Sequence, residues 1–546
     1  MSVTPQERSA AHVVLDVLAS WGVRDVFTCP GSTEAPFLDA SLDRPDLNVW
    51  LTPHELTAVT MADGYARFAG GTPGVAYLHT NVGLANGLGG VYAAQLAHSP
   101  VVVLNGLKAR SIQSKRGFTA PPDVGAAVAP YARWRWQSLR TEEVATDLTR
   151  ALQVATTEPG GPVWLGLPED LLARPATEVT TPSHRSRAVS AVRPDAEAVA
   201  TAATLLARAR KPLLVAGADV ARHGACAQLV RLAERLGAVV VHEDRRAFER
   251  SAFPTDHTAY AGFYASGHPA VRDADLVAFL GGRCFHEFEE GSIAPPADDA
   301  LVIHSNADPV ELGKAYGADV ALSGDHRALL TDLLAALDGN ESTTDWPPSE
   351  SLRPPLREHA SGQLTVHEAL DVLATHVDDR TRIVADATTS NAALFERIPQ
   401  AVPDQVVTTS CGALGWGTGA ALGVQVARPQ DRVVSVTGDG SLQFGVHALW
   451  VAARRRLPVT FVVLNNESYA AVAAALRRYD RHAARSETYP GKDIAGADLA
   501  TVAEGFGVHG VRVHEIGGLR KALADALADD RPRLVEVMTD PADLGP

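Results

Sequence analysis

The chain has 546 residues, of which 46% are hydrophobic and 21% are charged, and its formal net charge is −15. This length predicts about three domains, since one domain usually spans about 100–200 residues. The negative charge argues against a nucleic-acid partner, because phosphate binding requires a clustered basic surface. The composition is typical of a folded, soluble protein.

Four cysteines are far apart in the chain, at Cys29, Cys226, Cys284 and Cys411, and none forms a CxxC pair. The spacing predicts neither a disulfide framework nor a structural zinc site, which favours a reducing compartment. The N-terminal segment has no basic region and leads into an amphipathic helix, so we expect no signal peptide. No window of about 18 apolar residues occurs, and we therefore expect a cytoplasmic protein that crosses no membrane.

Short β-branched segments alternate with longer Ala- and Leu-rich segments of helical period, which predicts parallel sheets covered by helices. The first block, residues 1–185, contains the strand segments VRDVFTCPG, LNVWLTP, TPGVAYLHT and SPVVVLNG. The second block, residues 194–336, contains KPLLVAGAD, AVVVHE, ADLVAFLGG and DALVIHSNADP. A segment rich in Pro, Ser and charge follows at residues 337–361, and we predict a linker there.

The third block, residues 362–546, contains TRIVADATTS, QVVTTSCGALGWG, DRVVSVTGDG, PVTFVVLNN and PRLVEVMTD. Its order of elements is similar to that of the first block. The predicted fold class is α/β, with three doubly wound domains built mainly on parallel sheets. Such sheets bind ligands outside the carboxyl ends of their strands, so the loops after the strands are expected to carry the chemistry.

Two loops of the third block predict a metal site. VVSVT is followed by GDGS, which contains Asp439, and after one helix the next strand ends at Asn465-Asn466. A right-handed crossover brings both turns to one edge of the sheet, so Asp439 and Asn466 become neighbours. A carboxylate, an amide oxygen, one backbone carbonyl and phosphate oxygens suit Mg²⁺. The alternative interpretation is a tight turn followed by a helix cap.

The residues around this turn also suit an anion. Gly438 and Gly440 let backbone N–H groups approach a phosphate, and Ser441 is expected to open a helix whose N-terminal dipole favours negative charge. The GDG…NN pattern and its spacing resemble the signature of the thiamine diphosphate (ThDP) enzymes. The resemblance extends over nearly the whole chain. It implies a pyrimidine-binding first domain, a middle domain, a diphosphate-binding third domain, and ThDP and Mg²⁺ as cofactors.

The resemblance implies further cofactor contacts in the third domain. Thr388 and Thr389 match diphosphate-binding positions, and the carbonyl of Gly412 matches the acceptor for the pyrimidine amine. Leu414 matches the bulky aliphatic residue that bends the cofactor into a V shape. The remaining implied cofactor contacts are Gly440, Ser441 and Tyr469, and the implied metal ligands are Asp439, Asn466 and Ser468, the last through its backbone carbonyl.

In HELTAVTMADGYAR, Glu55 matches the family glutamate that hydrogen-bonds the aminopyrimidine ring and promotes loss of the thiazolium proton. The alternative is an ordinary acidic residue in the first turn of a helix. In the family, this glutamate meets the cofactor held by a neighbouring subunit, which implies a homodimer or homotetramer with active sites at the subunit interface. One departure is Glu467, which follows Asn466 where relatives commonly carry glycine; its charge faces either the metal or solvent.

Two further segments, CPGSTEAPFL and LHTNVGLANGLGG, resemble loops of the benzoylformate decarboxylases. The match implies that Ser32 binds the substrate carboxylate and that His79 shuttles protons, a task that suits an unperturbed pKa of about 6.5. The alternative for His79 is a cap at a strand end. In GGRCFHEFEEGS, His286 lies close to the position of a second catalytic histidine, with Phe288 as the alternative residue at that position.

These features predict a ThDP- and Mg²⁺-dependent, non-oxidative 2-oxo acid decarboxylase that releases CO₂ and an aldehyde. The runner-up is a carboligase of the acetolactate synthase type, which would form an acyloin or acetohydroxy acid. His54, immediately before Glu55, resembles that second type. A non-catalytic protein of the same fold is disfavoured, because Glu55, Asp439 and Asn466 occur together.

Overall fold

The structure is a computed structural model that describes residues 8–180, 191–287, 291–293, 295–337, 344–353 and 364–540. The chain divides into two compact units. The first consists of Met1–Ala188, Val384–Ser390 and Cys411–Pro546, and the second of Val189–Ile383 and Asn391–Ser410. In the described part of the chain, no helix combines the length and hydropathy needed to cross a bilayer.

The first block forms one six-stranded sheet. Its strands are β1 (Asp25–Cys29), β2 (Asn48–Leu51), β3 (Gly74–His79), β4 (Val101–Leu107), β5 (Trp134–Gln137) and β6 (Val163–Pro168). They pair in parallel in the order β2-β1-β3-β4-β6-β5. The helices are α1 (Ala10–Ser20), α2 (Ala35–Ser41), α3 (Glu55–Phe68), α4 (Thr80–Leu96), α5 (Arg110–Gln113), α6 (Val144–Thr156) and α7 (Glu169–Leu172).

Burial explains why most strands of this sheet can be predicted from the sequence. β3 and β4 are buried along nearly their whole length, as expected for strands with both faces covered, and their sequences are continuous apolar runs. β1 to β4 coincide with the four predicted segments. β5 is only four residues long and partly exposed, so it lacks this pattern, whereas β6 is buried and mainly apolar but is not among the predicted segments.

The second block forms another parallel sheet. Its strands are β7 (Pro212–Ala216), β8 (Val239–His242), β9 (Tyr260–Phe263), β10 (Leu276–Leu280), β11 (Leu301–Asn306) and β12 (Val320–Ser323), in the order β12-β11-β10-β7-β8-β9. Its helices are α8 (Ala196–Arg208), α9 (Ala218–Arg222), α10 (Cys226–Leu236), α11 (Pro269–Asp273) and α12 (His326–Ala336).

Part of the predicted linker packs onto this sheet. Trp346 donates its indole N–H to the carbonyl of Pro212 at 2.9 Å, and Leu352 is buried in the same hydrophobic cluster as β7 residues. Residues 344–353 are therefore joined to the middle sheet. The other parts of the predicted linker, residues 338–343 and 354–361, lie outside the described residues.

The third block repeats the topology of the first. Its strands are β13 (Thr381–Asp386), β14 (Val406–Thr408), β15 (Arg432–Gly438), β16 (Val459–Asn465), β17 (His509–Val513) and β18 (Arg533–Met538), in the order β14-β13-β15-β16-β18-β17. Its helices are α13 (Val366–Ala374), α14 (Asn391–Arg397), α15 (Trp416–Ala427), α16 (Asp439–Gly445), α17 (His447–Arg455), α18 (Ala470–Arg478), α19 (His482–Ser486), α20 (Leu499–Gly505) and α21 (Ile516–Leu527). The predicted fold class, three α/β domains with mainly parallel sheets, is confirmed.

The helix predicted after GDGS differs in two respects. It begins at Asp439 rather than at Ser441, and it is interrupted at Val446 between α16 and α17. The interruption lies where the carbonyl of Gly445 accepts a hydrogen bond from the Thr418 hydroxyl at 3.0 Å. A side chain at Gly445 would also collide with the backbone of Gly415, so close contact with the preceding segment ends the helix there.

Helices α3 and α15 of the first unit pack with their backbones in contact. A Cβ atom at Gly64 would collide with the carbonyl of Ala420, and one at Gly423 would collide with the carbonyl of Met61. Beside this contact, the Trp416 indole N–H donates to the Asp63 carboxylate at 2.7 Å. The two helices are therefore held at a fixed separation.

We predict that Gly64→Ala destabilises the protein, because the added methyl group must push α3 away from α15. Overpacking of this kind typically lowers the free energy of unfolding by about 1–3 kcal/mol. The measurement is the thermal unfolding midpoint of the two proteins. Gly505→Ala is the matched control, because a Cβ there meets nothing within 4 Å and the helical alanine should leave the midpoint unchanged or raise it. Equal midpoints for Gly64→Ala and wild type would contradict the close-contact interpretation.

Candidate active site

Asp439 lies immediately after β15, and the loop after β16 packs against it. β15 and β16 are neighbours, with Gly438 opposite Leu464. The Asp439 carboxylate accepts the N–H of Gly440 at 2.9 Å, and the backbone N–H groups of Glu467 and Ser468 lie near enough to lower its pKa. The two loops that the crossover rule was expected to bring together are therefore neighbours.

Burial raises the pKa of Asp439 to about 6, and hydrogen bonds from backbone N–H groups act in the opposite direction. The side chain is only 6% exposed. Among the described residues, no cationic side chain forms an ion pair with this carboxylate. A buried carboxylate without a positive partner is a strong candidate for a cation ligand.

The other predicted ligands fit a hard cation. The Asn466 side-chain oxygen accepts from the Ser468 N–H at 3.1 Å, and the buried Ser468 hydroxyl has no partner among the described residues. Asn465 is occupied elsewhere, because its amide donates to Glu536 at 2.7 Å and its oxygen accepts the Glu467 N–H at 2.9 Å. In the described ranges, no three His, Cys, Asp or Glu side chains form a metal cluster. The donors here are oxygen atoms, which suit Mg²⁺ better than a transition metal.

Glu467, where the chain departs from its relatives, has a left-handed backbone with φ of 55°. Glycine adopts this conformation without strain, whereas a residue with a Cβ does not. The hydrogen bonds that Arg512 donates to Glu536 raise the pKa of Arg512, and Glu467 adds to the shift by its charge. The Glu467 carboxylate therefore acts on Arg512.

Asp386 organises the glycine-rich segment that precedes α15. Its carboxylate accepts the N–H groups of Gly415 and Gly417, each at 3.0 Å, and the hydroxyl of Ser441 at 3.2 Å. Burial raises the pKa of Asp386 to about 6, and these hydrogen bonds oppose the shift. One carboxylate thus joins β13, α15 and α16 at the carboxyl edge of the sheet.

Thr388 and Thr389 follow Asp386 in a short 3-10 helix, Thr388–Ser390. Thr388 is exposed and has φ of 46°, a rare conformation for a β-branched residue. Neither threonine hydroxyl has a hydrogen-bond partner among the described residues. Strained backbone and free donors at a strand end are typical of a ligand-binding loop.

The other predicted cofactor contacts surround the same edge of the third sheet. Gly412 is exposed with φ of 69°, and Leu414 is half-buried two residues later. The Tyr469 ring packs on Gly440, where a Cβ atom would lie 2.5 Å from the ring. The Ser441 hydroxyl is bound to Asp386.

Glu55 begins α3 and is held by residues of the first domain. The Asn86 amide donates to one Glu55 oxygen at 3.0 Å, and the Cys29 thiol lies close to this carboxylate. Burial and Glu55 together raise the pKa of Cys29 to about 12, so the thiol is a donor. The side chain of His54 caps the helix by accepting from the N–H of Leu56 at 3.1 Å.

Helix α4 links Glu55 to the glycine-rich segment within the first unit. Asn86 of α4 binds Glu55, and a Cβ atom at Gly89, one turn later, would lie 3.5 Å from the Cβ of Ala413. Ala413 lies between Gly412 and Leu414, the predicted contacts of the pyrimidine amine and the cofactor bend. The structure therefore brings the predicted activating carboxylate close to the predicted cofactor hinge.

His79 ends β3 and is bound to a buried carboxylate. Its Nδ1 lies 2.9 Å from Glu34 Oε2 and 2.9 Å from the Thr33 hydroxyl. Glu34 also accepts the Gly31 N–H and the Thr33 hydroxyl, each at 2.6 Å, and is fully buried. Among the described residues, no group hydrogen-bonds to Nε2. This pattern fixes the ring and leaves Nε2 available for proton transfer.

The glycine of CPGS is required for this arrangement. A Cβ atom at Gly31 would lie 2.5 Å from the imidazole of His79. Ser32 follows in a short 3-10 helix, and the ammonium group of Lys108 donates to its hydroxyl at 3.0 Å. Ser32 thus directly follows the glycine against which the His79 ring packs.

Comparisons with known proteins agree with this geometry. Residues 8–127, 199–333 and 386–537 match the N-terminal TPP binding, central and C-terminal TPP binding domains of thiamine pyrophosphate enzymes. Benzoylformate decarboxylase of Pseudomonas aeruginosa is 32% identical over 532 residues, covering 96% of this chain and 97% of the relative. The chain belongs to the thiamine pyrophosphate enzymes.

Other relatives in the family include both reaction types. Acetolactate synthase isozyme 2 large subunit of Escherichia coli is 29% identical, covering 97% of this chain and 96% of the relative. The 4-hydroxybenzoylformate decarboxylase of Rhodococcus jostii has a TM-score of 0.87 at 28% identity, covering 97% and 99% of the two chains. Benzoylformate decarboxylase of Polynucleobacter necessarius has a TM-score of 0.85 at 25% identity, covering 97% and 99%.

His286 belongs to the second compact unit, whereas the other predicted site residues belong to the first. Burial and the nearby Arg283 lower the pKa of His286, and Glu249 opposes the shift. Its backbone N–H lies close enough to Asp244 to lower the pKa of that carboxyl group. A catalytic role for His286 stays a prediction, and Phe288, the alternative residue, lies outside the described residues.

Several residues that hold the site of this ThDP enzyme are not predicted by the sequence. Glu34, Asn86, Asp386 and Lys108 each hold a predicted site residue or a segment next to one. Asp386 and Lys108 directly end or follow strands, and this position at the carboxyl edge of a sheet was a usable signal. Glu34 and Asn86 gave no such signal, because their partners are distant in sequence.

We predict that Asp439→Ala abolishes Mg²⁺-dependent retention of ThDP, because it removes the buried carboxylate of the proposed metal site. Glu55→Gln is the comparison variant and should retain ThDP, since it preserves the side-chain shape and leaves Asp439 intact. Calorimetric titration of each apoprotein with ThDP, with and without Mg²⁺, measures this. Equal Mg²⁺-dependent affinity in Asp439→Ala and wild type would exclude Asp439 as a metal ligand.

Proposed function

We propose that the chain is a ThDP- and Mg²⁺-dependent, non-oxidative decarboxylase of a 2-oxo acid, similar to the benzoylformate decarboxylases. The reaction converts a 2-oxo acid and one proton into an aldehyde and CO₂. The observation that carries the proposal is the group formed by His79, Glu34 and Ser32. A decarboxylase that releases an aldehyde needs a proton donor at the acyl carbon, and an oriented imidazole supplies one.

The residues of the proposed metal site are Asp439, Asn466 and the carbonyl of Ser468. The buried carboxylate without a cationic partner supports this assignment. The diphosphate would be held by the free hydroxyls of Thr388 and Thr389 and by backbone N–H groups near Gly440. When bound, ThDP supplies the nucleophilic carbon and accepts the electron pair released when CO₂ leaves.

The chain's own residues have separate tasks in this proposal. Glu55 holds the proton exchanged with the pyrimidine ring, and Asn86 keeps its carboxylate in place. The Ser32 hydroxyl binds the carboxylate that leaves as CO₂. His79 delivers from Nε2 the proton that replaces CO₂ on the acyl carbon, while Glu34 holds Nδ1.

The experiment that tests the function supplies ThDP and Mg²⁺ together with aromatic, branched and short 2-oxo acids. CO₂ release and the organic product are followed together. CO₂ with an equal amount of aldehyde supports the decarboxylase. CO₂ with less aldehyde and an acyloin or acetohydroxy acid identifies the carboligase. Absence of CO₂ from every acid contradicts both.

We predict that Glu34→Gln lowers kcat for aldehyde release with little change in KM, by up to the about 10²–10⁴-fold that a positioned general acid contributes. The amide cannot accept from Gly31, Thr33 and His79 in the way that a carboxylate does. The pH profile of kcat should shift in the same variant. Glu142→Gln, at an exposed carboxylate of the same domain, is the control. A change confined to KM, or parallel losses in both variants, would contradict the positioning role of Glu34.

The carboligase alternative rests on His54, which precedes Glu55, and on the acetolactate synthases among the relatives. His54 stacks on His447 with ring centroids 4.8 Å apart. This pair lies beside Glu55, whose charge opposes the burial that lowers the pKa of His447. A carboligase would add the same acyl group to a second carbonyl compound instead of protonating it.

The proposal includes a cytoplasmic homodimer or homotetramer with active sites at the subunit interface, acting on a small 2-oxo acid. None of the four cysteines forms a disulfide in the structure. The family resemblance favours a site shared between subunits. Within the single chain, however, α3 packs against α15, which makes a site completed by one chain the alternative.

We predict that hybrids of Glu55→Gln chains with Asp439→Ala chains regain activity that neither variant has alone. In a shared site, a hybrid dimer contains one active site with both wild-type residues, so its activity should be about half that of the wild-type dimer. The hybrid is isolated with two different affinity tags and assayed for CO₂ release. If each chain completes its own site, the hybrid contains no intact site and stays inactive.

A further inference from the structure

Lys108 places a positive charge beside the proposed carboxylate-binding serine. It directly follows β4, and its ammonium group donates to the Ser32 hydroxyl at 3.0 Å. β4 lies next to β3, with Gly106 opposite His79. Lys108, Ser32, Glu34 and His79 therefore form one cluster at the carboxyl edge of the first sheet.

Lys108 has no acidic partner in the described part of the chain, since its only side-chain hydrogen bond is to Ser32. The segment that follows, residues 108–119, contains four basic residues and no Asp or Glu, in a chain of net charge −15. Arg110 of this segment is neutralised by Asp170 at 2.9 Å. The two other basic residues, Lys115 and Arg116, are exposed and form no ion pair with the described residues.

The basic segment is held next to Lys108 by the side chains of two glutamines. The Gln113 amide donates to the carbonyl of Lys108 at 2.6 Å, and the Gln137 amide donates to the Gln113 side-chain oxygen at 2.9 Å. Lys108 is thus the member of the segment that reaches the site, and Lys115 and Arg116 add positive potential around it. Such a potential attracts anionic substrates.

The charge of the leaving group decides what Lys108 can contribute. During decarboxylation, the departing carboxylate becomes neutral CO₂, and its electron pair moves away from the serine side. A cation at that carboxylate would stabilise the substrate more than the transition state and would slow the step. A cation that binds an anionic group retained in the product has no such penalty. The neutral Ser32 hydroxyl suits the departing group, and the Lys108 ammonium suits a retained one.

We propose that Lys108 recognises a second carboxylate on the substrate, so that the preferred substrate is a dicarboxylic 2-oxo acid whose distal carboxylate remains on the product. This specificity rests on the proposed decarboxylase function. Lys108 acts by binding the substrate and takes no part in proton transfer. The exposed Lys115 and Arg116 raise the rate at which the dianionic substrate reaches the site.

The test compares two acids of equal chain length, 2-oxoglutarate and 2-oxopentanoate, which differ in the distal carboxylate. With the ThDP- and Mg²⁺-loaded enzyme, we expect kcat/KM to be at least about tenfold higher for the dicarboxylic acid, as for a charge-assisted contact. Lys108→Gln should remove this preference by raising KM for 2-oxoglutarate much more than KM for 2-oxopentanoate. Lys108→Arg should retain part of the preference.

Lys521→Gln is the matched control, since it removes one exposed positive charge from α21, outside the site. It should leave both acids unaffected. Three results would overturn the inference: no preference in the wild-type enzyme, a preference that survives Lys108→Gln, or equal losses for both acids in Lys108→Gln. The last result would assign Lys108 to the carboxylate that both acids share.

A binding measurement separates this inference from the proposed function. Glutarate and pentanoate, which cannot be decarboxylated by this route, are titrated into the loaded wild-type and Lys108→Gln proteins. If no 2-oxo acid is turned over, the decarboxylase proposal fails. A Lys108-dependent preference for glutarate would still support the recognition of a second carboxylate, and the absence of that preference would overturn it.

Discussion

The backbone contact between α3 and α15 is the constraint on which the rest of the site depends. Glycines on both helices remove the side chains that would otherwise separate them, and the Trp416 indole bound to Asp63 fixes their relative position. Glu55 begins one of these helices, and the segment containing Gly412 and Leu414 leads into the other. A change in the separation of the helices would move the carboxylate relative to the cofactor hinge, and small displacements of catalytic groups have large effects on rate.

Three buried carboxylates perform the local positioning, and each is satisfied in a different way. Asp386 is saturated by N–H groups of the glycine-rich segment and by the Ser441 hydroxyl, so its function is structural. Glu34 binds an imidazole and therefore orients a proton carrier. Asp439 receives backbone N–H groups but no cation from the described residues, which leaves it suited to a metal. Burial of a carboxylate requires such compensation, and the kind of compensation indicates the task.

The sequence predicts those parts of the fold and site that depend on local pattern. Continuous apolar segments predict β3 and β4, and the crossover rule predicts that the loops containing Asp439 and Asn466 meet. The contacts of Glu34 with His79 and of Lys108 with Ser32 join residues 45 and 76 positions apart, and nothing in the sequence pairs them. The helix break at Val446 also depends on a tertiary contact, because Gly445 meets Gly415 and Thr418. Local pattern therefore predicts the elements, whereas close approach between elements decides how each side chain is held.

The first-domain cluster of Lys108, Ser32, Glu34 and His79 carries its charges on different residues. This arrangement suits a reaction in which CO₂ leaves first and a proton is delivered afterwards. Glu34 holds Nδ1 of His79 and so fixes the ring in one orientation, which suits proton transfer from Nε2 after CO₂ has left. Lys108 carries its charge beside the Ser32 hydroxyl, where the proposed second carboxylate of the substrate would be held throughout the reaction. The Ser32 hydroxyl itself is neutral, so the carboxylate that becomes CO₂ is bound by a group without a full charge. A site that must release CO₂ and retain its other contacts needs a neutral group at the leaving carboxylate and a charged group at the retained one. An interaction that is equally strong before and during bond cleavage does not accelerate the step.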